Sequence, residues 1–149
     1  MKSLVTALFL IIFLQPILAW DYTGPEVELI KLINTERQEN GIPPLTINWE
    51  VARLARYKTE EMNKHQLFGH DSLIYGSPSQ ILDRYNIPYN SLGANIAKGQ
   101  ETAHDVMEDW RQSSGHMSNL LNASYTSAGV GLSRDDNGIL YWKLILIAG

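Results

Sequence analysis

Apolar residues recur at helical spacing from residue 25 onward. Val27, Ile30, Ile33 and Arg37 fall on one face, and Leu29 and Leu32 widen it. Thr23-Gly24-Pro25-Glu26 predicts the start, with Thr23 as cap, Pro25 in the first turn and Glu26 completing a capping box. Asn40-Gly41 predicts the stop, and Pro43-Pro44 an extended link. A second helix is predicted from Trp49 to Lys64, capped by Asn48. Val51, Leu54, Ala55, Lys58 and Met62 trace its buried face, with the Lys58 stem lying along it. Arg53, Arg56, Glu60 and Glu61 read as its solvated side. Residues 65–77 show no period. Ser77-Pro78-Ser79-Gln80 is a capping box that opens a short helix through Tyr85. Residues 91–98 alternate as a strand does. Thr102 and Asp105 open another helix, with Ala103, Val106, Met107 and Trp110 at i, i+3, i+4 and i+7. Ser114 is predicted to cap the short helix carrying His116.

The period then becomes two. Ala128, Val130 and Leu132 alternate with Gly129, Gly131 and Ser133. Asp135-Asp136-Asn137-Gly138 predicts a turn. Residues 139–147 form a strand that is apolar on both faces apart from Lys143. Such a strand needs cover on both sides. The pattern predicts an α+β fold, with helices on both faces of a small antiparallel sheet. No repeat or linker marks a second domain.

The chain has 149 residues. Its first part lies outside this pattern. Lys2 precedes an apolar run from Leu4 to Leu14, Gln15-Pro16 breaks it, and Ala19 offers a small residue at a cut. This reads as a signal peptide over residues 1–19, leaving a domain of residues 20–149 that begins at Trp20. No later segment is long and apolar enough to span a membrane. The formal charge is −4, and removal of Lys2 makes it one unit more negative. An acidic surface gives no reason to expect nucleic acid as partner. The chain has no Cys, so an exported form is stabilised by packing alone, as in bacterial rather than many eukaryotic secreted domains.

Candidate chemistry concentrates on His70 in Phe68-Gly69-His70-Asp71 and His116 in Ser114-Gly115-His116. Each is a metal-ligand type, and each is also an ordinary hydrogen-bonding group. Asp71 and His65 are potential further ligands, and Asp71 could equally orient an imidazole. Ser113 and Ser114 lie near His116 but read as caps, since no Gly-x-Ser-x-Gly elbow exists. No thiol nucleophile is available. The Asp135–Gly138 turn lacks calcium-loop spacing. His104 reads as exposed, and Trp49, Trp110 and Trp142 as core.

Several runs taken together resemble the CAP superfamily in its bacterial SCP-like form, whose relatives include cysteine-rich secretory proteins, antigen 5 and plant pathogenesis-related proteins. They are Asn34-Thr35-Glu36-Arg37 with Gly41-Ile42-Pro43-Pro44-Leu45, Ala52-Arg53-Leu54-Ala55-Arg56, Phe68-Gly69-His70, and Gly93-Ala94-Asn95-Ile96-Ala97. Trp110 with Ser113, Gly115-His116 and Asn119-Leu120-Leu121 follows, and then Gly129-Val130-Gly131. The resemblance implies a three-layer αβα sandwich with a central cleft. Two histidines line that cleft, joined in many members by two glutamates and in some by a divalent metal.

Here the cleft would hold His70, Asp71, Ala94, Asn95, Ser113 and His116, with His70 and His116 as candidate metal ligands. The glutamates are missing: Ala94 stands in place of one and Ser113 of the other. No resident cofactor is expected, because two imidazoles would hold a divalent ion such as zinc only weakly. Three functional classes stay open. The first is a secreted, non-catalytic module binding a lipid, glycan or envelope protein. The second is a metal-dependent hydrolase using His70 and His116. The third is a structural component of the envelope or spore coat. All three place the protein outside the cell or in its envelope.

Overall fold

The computed structural model describes residues 24–149. The expected signal peptide, its cut at Ala19, and Thr23 lie outside the described residues. Helix α1 spans Pro25–Glu39, and its N-cap is Gly24, with Pro25 in the first turn and no side-chain cap. Its buried face is Val27, Leu29, Ile30, Ile33 and Arg37. The chain then passes through the two-residue strand β1 (Thr46–Ile47) into α2 (Trp49–His65). The Asn48 side chain accepts hydrogen bonds from the Glu50 and Val51 amides, as a cap should. Helix α3 (Pro78–Arg84) opens with the expected Ser77–Gln80 capping box. Strand β2 (Ser91–Lys98), helix α4 (Ala103–Arg111), helix α5 (Ser114–Leu120), and strands β3 (Ser127–Arg134) and β4 (Leu140–Ala148) follow. Ser113, not Ser114, caps α5, because its hydroxyl accepts from the His116 amide three residues on.

The sheet order is β1-β3-β4-β2. Strands β2–β4 and β3–β4 pair antiparallel, while the short β1 runs parallel to β3 at one edge. That edge adds a parallel pair to the antiparallel sheet, because the extended link from α1 runs beside β3 before α2 begins.

Strand β4 is the axis of the molecule. Leu140, Trp142, Leu144 and Leu146 point into a core with α1 and α4. Ile145 and Ile147 point the other way, against Val51, Leu54 and Ala55 of α2 and Ile81 and Leu82 of α3. Tyr141 lies with Met62 and Ile96. Each fully buried aliphatic side chain contributes about 2 kcal/mol by removal from water. Strand β3 lets α2 come close: a Cβ at Gly129 would collide with the backbone of Val51 and Ala52, and one at Gly131 with Ala55 and Arg56. The helix backbone therefore rests directly on the sheet. The result is the expected α+β sandwich. Among the described residues no helix is long and apolar enough to cross a membrane.

One expectation about α2 fails. Glu61 is not on a solvated face but buried, at 7% exposure. Its carboxylate is taken up by the loop that follows, so helical phase alone misplaced it.

Candidate functional site

His116 sits in the first turn of α5, and that helix is held by buried polar pins. Arg37 is 1% exposed and has no acidic partner among the described residues. Its guanidinium donates from Nε to Pro43 O at 2.9 Å and from NH1 to Leu120 O and Asn122 O at 2.9 and 3.0 Å. NH2 donates to Tyr125 O at 3.0 Å. A cation at the C-terminal end of α5 also suits the helix dipole. From the sheet side, Asn95 Nδ2 donates to His116 O at 3.2 Å. Asn119 Nδ2 donates to Asn95 Oδ1 at 2.9 Å and to Ala94 O at 3.2 Å. Asn95 is fully buried and spends its amide on these bonds, so it positions α5. The His116 ring packs against Trp110, centroids 5.9 Å apart, and Trp110 Nε1 donates to Ile96 O at 3.2 Å. His116 Nδ1 is buried without a hydrogen-bond partner among the described residues. Such an atom calls for a water or a ligand.

His70 reaches the site from the irregular loop between α2 and α3. A buried ion pair fastens that loop. Lys58 Nζ lies 2.9 Å from Glu61 Oε1 and also donates to Asp71 O. Glu61 Oε2 accepts from Ser72 Oγ at 2.7 Å, and Oε1 accepts from the Leu73 amide at 3.1 Å. Burial alone would raise the Glu61 pKa. The hydrogen bonds from Ser72, Lys58 and the Leu73 N–H, with the Lys58 charge, outweigh it and hold the carboxyl below its usual value.

Beneath the loop lies Lys143, 1% exposed at mid-strand, with Nζ 2.9 Å from His70 Nδ1. Among the described residues no carboxylate lies within ion-pairing distance of it. Burial, then the neighbouring Lys58 charge, pushes its pKa down to about 7, with Asp71 opposing. His70 is exposed as a residue, but its Nδ1 edge is tucked against Lys143. Desolvation and Lys143 lower its pKa to about 4, with Asp71 opposing and His116 and Lys58 adding smaller repulsions.

The donor set does not fit a divalent metal. His70 Nδ1 is engaged by an ammonium, Ala94 offers no carboxylate, and Ser113 is occupied as a cap. Among the described residues no three His, Cys, Asp or Glu side chains gather as a metal group. His65 is exposed at the end of α2, and Asp71 is exposed beside His70. His104 is exposed and pairs with Glu28 at 3.4 Å. Leu67, Phe68, Gly69, His70 and Asp71 line a surface cavity of about 450 Å³. Sequence reasoning marked Lys143 as the exception in an apolar strand, yet missed its role. The signal was there: a lone cation at a buried strand position needs a partner.

A sheet covered by helices on both faces, with histidines from a loop and a short helix beside it, defines an αβα sandwich. Residues 30–146 match the cysteine-rich secretory protein (CAP) family, and the chain belongs to that family. It is 41% identical over 106 residues to the Bacillus subtilis (strain 168) protein YkwD, covering 71% of this chain and 41% of that protein. It therefore spans less than half the length of that relative. A crystal structure of an extracellular SCP-domain protein from Bacillus anthracis str. Ames superposes with a TM-score of 0.78 at 26% identity, over 85% of this chain and 41% of the other. An outer surface protein of Borrelia burgdorferi gives the same TM-score at 19% identity, over 86% and 95% of the two chains. This last likeness is one of fold.

Proposed function

We propose that this chain works as an extracellular binding module. Residues 1–19 direct its export, and residues 20–149 form a domain without catalytic residues. The observation that carries the reading is an apolar rim on the loop that bears His70. Leu67, Phe68, Leu73 and Ile74 are 49%, 50%, 58% and 67% exposed. They are four of the six large apolar side chains exposed among the described residues, so the exposure is local rather than scattered. The same loop is fastened from below by the buried Glu61–Lys58 pair, so the rim is presented rather than left loose. An apolar rim favours an envelope lipid or protein over a glycan. Export accords with the extracellular Bacillus anthracis relative.

The hydrolase alternative needs a metal-bound water or a general base. Ala94 supplies no carboxylate, and the nearest imidazole has one nitrogen engaged by Lys143. Sedimentation of the purified protein with isolated cell envelopes tests the binding reading. Leu73→Ser/Ile74→Ser should lower retention about tenfold, since half-burying two aliphatic side chains is worth about 1–3 kcal/mol. Equal retention of wild type and variant would contradict it.

A further inference from the structure

Buried Lys143 is the cation in contact with His70. An ammonium has three donors and no acceptor. While charged, Lys143 can only donate to His70 Nδ1, 2.9 Å away, which leaves the lone pair on Nδ1 and the ring proton on Nε2. His70 Nε2 has no hydrogen-bond partner among the described residues, and the residue lines the cavity under the apolar rim. In that tautomer the nitrogen left free carries an N–H, where a metal would require a lone pair.

We propose that Lys143 is a specificity-determining residue: by holding His70 as the Nε2–H tautomer, it makes the cleft a donor site for the carbonyl or carboxylate oxygen of an apolar ligand and bars divalent cations. Three independent features agree. The Lys143 side chain is almost wholly buried without an acidic partner, so its charge is not neutralised by ion pairing. Lys58, which shares the region, already has Glu61 and the Asp71 carbonyl as partners. The negative charge nearest the mouth, Asp71, is exposed and screened by water, whereas Lys143 acts through the interior. The apolar part of the ligand would meet Leu67 and Phe68, which line the same cavity. This rests on the binding reading above, but it is tested by separate readouts.

The test is nitrogen-15 NMR of the imidazoles at pH 6, between the titrations of His70 and Lys143. Wild-type His70 should show the Nε2–H tautomer. A predominantly Nδ1–H ring in wild type would overturn the proposal with no variant needed. Lys143→Met, apolar and of similar length, should release Nδ1 and shift the tautomer. It should also bring zinc-induced changes at His70 at concentrations at least tenfold lower than in wild type. Equal zinc response in the two proteins would overturn the exclusion of cations. Decanoate below its micellar range should move the wild-type His70 Nε2 signal, and decyltrimethylammonium, with the same chain and no acceptor, should not. Equal effects of the two would overturn the acceptor assignment while leaving the binding reading standing. Loss of envelope retention differences in the sedimentation experiment, with the tautomer as proposed, would instead remove the binding reading alone.

Discussion

The two faces of β4 differ in what they bury. Towards α1 and α4 the strand presents Leu140, Trp142, Leu144 and Leu146, with Ala148 at its end. Towards α2 it presents Tyr141, Lys143, Ile145 and Ile147, so a cation stands in the middle of an apolar row. The first face is a core and nothing else. The second face gives up part of its apolar continuity to place a charge under the His70 loop. Polar burial also divides by role. On the α5 side, Arg37 and Asn95 satisfy backbone carbonyls and fix a helix. On the α2 side, Lys58 and Glu61 fasten a loop whose outer surface is apolar and exposed. One side fixes a helix; the other holds an exposed apolar loop over a buried charge.

The comparison breaks most readily at Arg37. Arg37→Ala would leave four carbonyls without their donor and should cost about 3–5 kcal/mol in urea unfolding. Arg37→Lys should recover only part of that, because a point charge cannot match the fork. On the other side, Glu61→Ala leaves Lys58 buried and unpaired and should cost about 3 kcal/mol.

The Glu61 contribution has a defined pH dependence. Its folded pKa is depressed, so the stabilisation is full above the ordinary carboxylate value and is lost as pH falls through the folded value. The stability difference between wild type and Glu61→Gln should therefore shrink on acidification, as read by urea unfolding between pH 6 and pH 3.

Lys143→Met should run the opposite way to Arg37→Ala: neutral, or stabilising by about 1–4 kcal/mol, at pH 6. Its folded pKa is lowered from 10.5 to about 7, so the unfolded chain binds more protons between those values. Wild type should gain stability on Lys143→Met as pH rises through that window, by a few kcal/mol. A constant difference across it would show that the charge is not buried as described. Leu73→Ser/Ile74→Ser gives the smallest effect on unfolding, within about 0.5 kcal/mol, because both side chains are already exposed.

Much of this was legible in the chain. The apolar strand with one lysine required two layers of cover. The Asn48, Ser77 and Thr102 caps marked helix starts that the structure keeps. Arg37 sat on the apolar stripe of its helix, and its burial follows from that phase. What was not legible depended on contacts across the sequence. Glu61 looked solvated because its partners, Ser72 and Leu73, lie in a stretch with no period of its own. Lys143 and His70 meet only once α2 has been laid on β3, and no local pattern records that. Ala94 could be read as a missing carboxylate, but the cation that meets His70 comes from a different strand.

The central proposal is that Lys143 keeps divalent metal from this cleft. Isothermal titration of zinc into wild type and into Ala94→Glu, with and without Lys143→Met, tests it most directly. The account predicts no stoichiometric binding by wild type, and a measurable gain on Ala94→Glu only when Lys143→Met also releases His70. Tight, stoichiometric zinc binding by wild type, abolished by His116→Ala, would contradict the account and bring the hydrolase reading to the front.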